Sequence, residues 1–309
     1  MPAAYSPGLR HVAPSSYAYL QQPGWGWNNT GLVVHGDQAV MIDTCYTLEL
    51  TRKLLDAVER ELPCAGVSHL VLTHGNGDHA FGASLLPAAR LVTSAGTAAS
   101  FDHEVTPQMM TWLATQCPDE ATRAYTVTHF GAFDFDGAGL REPDETFSGR
   151  LELMIGPVVV ELIEVGPAHT DGDVIVHVPE DGVVYTGDIL FIGDHPVVWS
   201  SLSGVVSACD RILQTSATIM VPGHGPLVGR EEVSQLRGYY EYLLTEAQRR
   251  FDAGMPYQVA ARDIAVPAGF EDWGLPERMV ITLEAAYRNF GAEPEPMPTV
   301  LGHAARAAR

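Results

Sequence analysis

The chain has 309 residues, 46% of them hydrophobic, and a formal net charge of −20. That length suits one large α/β unit with a substantial core. The charge argues against nucleic acid or an anionic membrane as partner, because polyphosphate binding needs clustered cations. Here one lysine, Lys53, stands among 18 basic residues.

The N-terminal MPAAYSPGLRHVAPSS lacks the apolar run of a signal peptide. No stretch reaches the roughly 18 to 20 apolar residues of a membrane span. Cys45, Cys64, Cys117 and Cys209 form no CxxC pair and read as reduced thiols of a cytoplasmic protein. GWGWNN, with Trp25 and Trp27, reads as a loop able to cover an apolar substrate, or as tryptophans packing an edge of the fold.

Residues 30–43, TGLVVHGDQAVMID, predict a hairpin turning at HGDQ. Leu48, Leu50, Leu54, Leu55, Val58 and Leu62 recur at mostly helical spacing, and Pro63 ends that helix. SHLVLT then predicts a strand running into THGNGDH, with AFGASLL as the start of a helix. Such a strand-to-helix loop is where α/β proteins build sites. Residues 95–150 carry Phe101, Trp112, Tyr125, Phe130, Phe133 and Phe135, and read as a cap inserted over the site or as a peripheral helical pair. From 151 the strands return as LELMI, PVVVELIEV, VIVHVP and GVVYTGD, followed by a helix near 204–214 and the strand ATIMV. Helices near 230–252, 256–265 and 275–290 close the chain; the stripe of Tyr239, Tyr240, Tyr242 and Leu243 suits core or a homo-oligomer face. So many hairpin-linked strands predict a layered α/β sandwich rather than a doubly wound parallel sheet.

Four segments carry candidate chemistry, each after an apolar strand-like run. THGNGDH holds His74, Asn76, Asp78 and His79; GPAHTDGD holds His169; YTGDILF holds Asp188; VPGHGP holds His224. Each is weak singly. Together they are the nitrogen and oxygen donors that a zinc or iron site requires.

In that order and spacing the segments resemble the metallo-β-lactamase superfamily, whose motif is HxHxDH followed by a His, a bridging Asp and a final His. The resemblance covers roughly residues 28–230 and implies an αββα sandwich, read here as one unit over 1–309 with the insert at 95–150 and a helical extension over 230–309. It implies a first metal held by His74, position 76 and His169, a second by Asp78, His79 and His224, and Asp188 between them. Asp43 matches a family Asp that orients a ligand. The departure is Asn76, where the family has His. Three readings stand: one ion at the second site, two ions with an oxygen-rich first site suited to Mn or Fe, or a degenerate centre. Zinc is the expected metal, with iron or manganese as alternatives.

A bound divalent ion acidifies a coordinated water to a pKa of about 7 and polarises a carbonyl. Asp78 is the expected carboxylate for orienting that water and moving its proton, although a helix N-cap is its plain structural reading. Trp25, Trp27, Phe133 and His195 are the expected pocket residues; His103 and His129 are weaker candidates, and His69 and His177 read as structural. The resemblance points to hydrolysis of a small thioester, lactone or similar ester with an apolar or aromatic group. The alternatives are an iron-dependent redox enzyme and a non-catalytic metal-binding protein.

Overall fold

The computed structural model describes residues 6–308. The start of the segment read for a targeting signal, residues 1–5, and the final Arg309 lie outside the described residues.

Strands β1 (Gly8–His11), β2 (Ser16–Leu20), β3 (Thr30–His35) and β4 (Gln38–Ile42) form an antiparallel meander. The hairpin at HGDQ is present, with His35 paired to Gln38. Helix α1 (Leu48–Glu61) follows. Thr47 caps it by accepting from the Leu50 N–H, and Thr51, Leu54, Ala57 and Val58 make its buried face. Strand β5 (Gly66–Val71) lies parallel to β4, and α2 (Gly77–Ala80), β6 (Arg90–Ser94), α3 (Ala95–Ser100), α4 (Pro107–Thr115), α5 (Glu120–Phe130) and β7 (Glu145–Phe147) complete the first half. The first sheet has the order β1-β2-β3-β4-β5-β6-β7.

Strands β8 (Arg150–Ile155), β9 (Val158–Glu164), β10 (Val174–Val178) and β11 (Val183–Phe191) come next, then α6 (Leu202–Gln214) and β12 (Ile219–His224). They form the second sheet, β12-β11-β10-β9-β8, antiparallel except between β11 and β12. Helices α7 (Arg230–Asp252), α8 (Tyr257–Asp263), α9 (Met279–Asn289) and α10 (Met297–Ala307) follow.

Strand side chains alternate between faces, and this splits the core into layers. Val33, Val40, Ile42 and Val71 point inward to meet Val174, Val176, Val183 and Tyr185 of the other sheet. Their neighbours Leu32, Met41 and Leu70 point outward onto Leu54 and Val58 of α1. On the far side Ile175 and Val184 pack against Val205, Ile212, Leu236 and Tyr240. The result is a four-layer αββα sandwich whose central strands are apolar on both faces, because both faces are covered. Among the described residues no helix is long and apolar enough to cross a membrane.

Several local expectations change. The helix read into AFGASLL begins earlier, at Gly77, lasts four residues and gives way to a single 3-10 turn at Ala83–Leu85. Asp78 therefore lies inside α2, and Asn76 occupies the N-cap position without making a side-chain cap bond. Strands β1, β2, β6 and β7 join those read from the sequence, and β2 alternates buried and half-buried residues over Ser16–Leu20. Tyr239, Tyr240 and Leu243 are core; Tyr242 is only partly buried and donates to the Ala265 carbonyl. All four cysteines are free, and only Cys64 is exposed.

Candidate metal centre

The site lies where β4, β5, β11 and β12 end. Asp43 directly follows β4, His74 follows β5, and His79 belongs to α2. His169 sits in the loop between β9 and β10, Asp188 lies within β11, and His224 ends β12. Two glycines let these segments converge. Gly187 has φ +50, and a Cβ there would meet Thr73 Oγ1 at 2.6 Å. A Cβ at Gly223 would overlap Asp188 Oδ1. β11 and β12 also slip register around Gly187, an irregularity of the kind that re-aims a side chain.

Asp188 sits at the middle. Its Oδ2 lies 3.8 Å from His74 Nε2, 3.5 Å from His169 Nε2 and 3.3 Å from His224 Nε2; its Oδ1 lies 3.0 Å from His79 Nε2. His224 Nε2 is also 3.4 Å from Asp78 Oδ2. Two donor groups result, His74 with His169 and Asp188, and Asp78 with His79 and His224; within each group the donor atoms lie within 4.8 Å of one another.

Four imidazoles are turned the same way. His79 Nδ1 donates to Asp43 Oδ2 at 2.8 Å, and His169 Nδ1 donates to the Val197 carbonyl at 2.7 Å. His224 Nδ1 donates to the Trp27 carbonyl at 3.2 Å. Thr73 Oγ1 gives its proton to Asp43 Oδ2 at 2.8 Å, so at 3.0 Å it accepts from His74 Nδ1. Each Nδ1 therefore carries a proton, and each Nε2 faces the common centre. An acceptor behind a ring is how proteins set the tautomer of a metal-binding His.

The centre calls for a cation. His74 Nε2, His79 Nε2 and Asp188 Oδ1 are buried without a hydrogen-bond partner. The 3.0 Å approach of His79 to Asp188 lacks hydrogen-bond geometry. Burial works against a charged ring at His224, yet Asp188 and Asp78 raise its pKa to about 9. Burial likewise opposes charge on His79, and Asp188 and Asp43 still raise it well above the usual imidazole value. Burial opposes ionisation of Asp188, but His224 and His79 hold its carboxyl well below the usual range. Without another cation, protons supply the positive charge. Nitrogen and carboxylate donors left open in this way fit a divalent ion.

Asn76 belongs to the same centre. Its Nδ2 donates to Glu104 Oε2 at 2.9 Å, which turns Oδ1 toward His169 Nε2, 2.9 Å away. Burial lowers the His169 pKa and keeps the ring neutral. With Nδ1–H given to Val197, two lone pairs face each other, an arrangement that a cation between them relieves. Burial also pushes the Glu104 carboxyl up, against its bonds from Asn76 and Ser100. Glu104 was not singled out in the sequence, where a Glu 28 residues beyond Asn76 carries no signal.

A cavity of about 410 Å³ opens above Asn76, Asp78, His169, Asp188 and His224. One wall comes from residues 95–150, through Glu104, Met110, Leu113 and Phe130; another comes from the C-terminal helices, through Arg278, Met297 and Leu301. Trp25 and His103 are among the lining residues. Trp27 and Phe133 are not: they pack on each other with ring centroids 5.0 Å apart, and Phe133 closes against Tyr46. His195 is not either. It is 1% exposed and its Nδ1 pairs with Tyr239 Oη at 2.7 Å. His129 lies against Tyr125 with ring centroids 4.3 Å apart and the rings tilted by 53°, and His177 donates to Glu161 at 2.8 Å.

The chain belongs to the metallo-β-lactamase superfamily, whose sequence pattern matches residues 23–224. Members of that superfamily are mostly metallo-hydrolases. The chain is 26% identical to the α subunit of a 2,4-dinitroanisole O-demethylase from Nocardioides sp. (strain JS1661), over 65% of this chain and 54% of that protein. A stereoselective inverting sec-alkylsulfatase from Pseudomonas sp. superposes with TM-score 0.71 at 16% identity, covering 95% of this chain and 51% of the other. A metallo-β-lactamase from Pontibacter korlensis superposes with TM-score 0.57 at 20% identity, covering 76% and 99%. The chain thus spans about half the length of the demethylase subunit and of the alkylsulfatase.

Proposed function

We propose that the protein is a two-metal hydrolase that cleaves a small ester-like bond, such as a thioester, lactone or related ester, in a largely apolar cavity. His74, His169, Asp188 and the Asn76 Oδ1 amide oxygen would hold one ion; Asp78, His79, His224 and Asp188 would hold the other. The observation carrying this reading is the common orientation of the four imidazoles, each with Nδ1–H given to a protein acceptor and Nε2 left for a metal. An oxygen at position 76 makes the first site harder than a three-His site, so Mn or Fe competes with Zn there.

A divalent ion held by these donors would supply an acidified water, with a pKa of about 7, and a Lewis acid for a substrate oxygen. Asp78 Oδ2 lies at the cavity floor beside His224 and accepts the proton released when water attacks. In the metal-free centre His224 and His79 hold the Asp78 carboxyl below the usual range against its burial, and a bound ion would supply that positive charge in their place. Trp25, Met110, Leu113 and Phe130 exclude bulk water and pack an apolar substituent.

The test pairs elemental analysis with a turnover panel of aryl esters, thioesters, lactones, alkyl sulfates and aryl methyl ethers. Two ions per chain are expected. At least one ester class should turn over, EDTA should abolish that activity and added metal should restore it. Asp78→Asn should lower kcat by about 10²- to 10⁴-fold. One ion per chain would refute the Asn76 assignment. Two ions with no turnover on any hydrolysable bond would refute hydrolysis.

A further inference from the structure

Among the residues lining the cavity, Arg278 is a cation short of a counter-charge. It is 1% exposed, yet of its five N–H donors only Nη1 finds an acceptor among the described residues, the His195 carbonyl at 3.3 Å. Nε is buried without a partner. Asp194, Asp188 and Glu277 act on it through space, without a hydrogen bond, and burial outweighs them and pulls its pKa down. Glu277 is engaged elsewhere, accepting from Tyr125 Oη at 2.8 Å. A buried guanidinium without an ion pair is costly to keep unless something else compensates it.

The surroundings hold that guanidinium in place. Its Cζ lies 4.0 Å from the Trp25 ring centroid and 5.5 Å from that of Phe191. Trp25 is fixed in turn, with Nε1 donating to Tyr125 Oη at 2.9 Å. The far neighbour of Phe191 is His224, stacked at 4.9 Å with an interplanar angle of 2°. Arg278 and the metal centre therefore flank one aromatic ring and border the same cavity. With Nη1 given to the His195 carbonyl and Nε buried, Nη2 and the second Nη1 proton are the donors left for a ligand in the plane of the guanidinium. A planar fork of N–H donors matches the paired oxygens of a carboxylate, sulfate or phosphate.

We propose that Arg278 anchors the anionic group of an amphipathic organic anion, whose apolar body packs on Met110, Leu113, Phe130 and Leu301 and whose reactive bond lies toward the metal centre. Other carboxylates on the cavity wall are already engaged. Glu104 is bonded to Asn76, Glu284 lies 3.8 Å from Arg288, and Glu295 accepts from Tyr257 Oη at 3.0 Å. Two arginines line the cavity of this chain of net charge −20; Arg288 lies beside Glu284 and donates to the Trp199 carbonyl, which leaves Arg278 as the cation for an entering anion. Arg278 lies outside the residues matched by the superfamily pattern, so this subsite comes from the chain's own C-terminal region. The proposal deepens the hydrolase reading and rests on it only for calling the anion a substrate.

The test is binding, read by isothermal titration and by tryptophan fluorescence. Octanoate, octyl sulfate and octyl phosphate are compared with octanol, on metal-loaded protein and on EDTA-stripped protein. At least one anion should bind tenfold or more tightly than octanol in both states, and the tightest of the three identifies the head group. Arg278→Met should bring that ratio below threefold, and Arg278→Lys should retain part of it. Equal binding of anion and octanol to the wild type would overturn the proposal. So would a preference that survives Arg278→Met but disappears on stripping, since the anion would then be held by the ions. If Arg278→Met does not fold, the stripped wild type and Arg278→Lys decide: no charge preference in the stripped protein overturns the proposal. Charge-selective binding without turnover would instead count against hydrolysis alone.

Discussion

Asp43→Asn changes the metal centre while leaving almost everything else in place. Asp43 sits at φ +63, in the left-handed region where Asn is tolerated as well as Asp, so the backbone can stay as it is. Three donors converge on the carboxylate: Thr73 N–H at 2.7 Å, Thr73 Oγ1–H at 2.8 Å and His79 Nδ1–H at 2.8 Å. An amide offers one acceptor oxygen and a donor group, so donor meets donor. The Thr73 N–H cannot turn away, so the amide oxygen stays with it and the NH₂ faces Thr73 Oγ1 and His79. His79 then moves its proton to Nε2, the atom aimed at the metal. The Thr73 hydroxyl, now accepting from the amide, donates to His74 Nδ1 and moves that proton to Nε2 as well. A hydrogen bond to a charged group is worth about 1.5–3 kcal/mol, and changes behind a metal ligand cost about 10- to 100-fold in affinity. With two rings affected, mean zinc affinity should fall about 100-fold, or about 2.7 kcal/mol. Competition against a chromophoric chelator measures this, and thermal unfolding in excess EDTA checks the fold. A folded variant whose zinc affinity stays within threefold of the wild type would show that Asp43 does not set the tautomers.

Glu104→Leu frees the Asn76 amide to turn its NH₂ toward His169, so the count should drop toward one tightly held ion per chain, while Glu104→Gln, which keeps an acceptor oxygen, should hold two; elemental analysis after dialysis separates the cases. His195 titrates with a definite sign. Burial pulls its imidazole down to about 4, below the unfolded value of about 6.5, so its contribution is complete above pH 6.5 and is lost as pH falls toward 4. Between pH 7 and pH 4.5 the wild type should lose about 2.5 kcal/mol more stability than His195→Gln, as measured by urea unfolding. Equal losses in the two proteins would contradict this.

The seven metal-centre candidates His74, Asn76, Asp78, His79, His169, Asp188 and His224 were named from the sequence because each segment carrying them follows an apolar run; in the fold they come from the end of β12, the middle of β11, helix α2 and the loops after β5 and β9. The layered α/β class was legible for a related reason: strand length, turn residues and helical spacing are local properties, and they alternate along this chain. Pocket residues were not legible from composition. Trp25 and Trp27 are two positions apart, yet one lines the cavity over Arg278 and the other packs on Phe133. His195, near Asp188 in sequence, is drawn into the core by Tyr239 of α7.

The sequence alone determined which donors are present and that position 76 carries an amide. The tertiary structure decided what that amide can do. Asn76 becomes a metal-facing oxygen because Glu104 holds its NH₂ from one side and His169 meets its Oδ1 from the other. The acceptors that set the imidazole tautomers, Val197 and Trp27, are backbone carbonyls 28 and 197 residues from the rings they orient. Every residue has such a carbonyl, so nothing in the residue type marks these two; only packing of distant segments brings a particular one to a particular ring. The same holds for Arg278, whose lack of a counter-ion is a property of its surroundings and becomes visible once α9, the Trp25 loop and β11 are packed together.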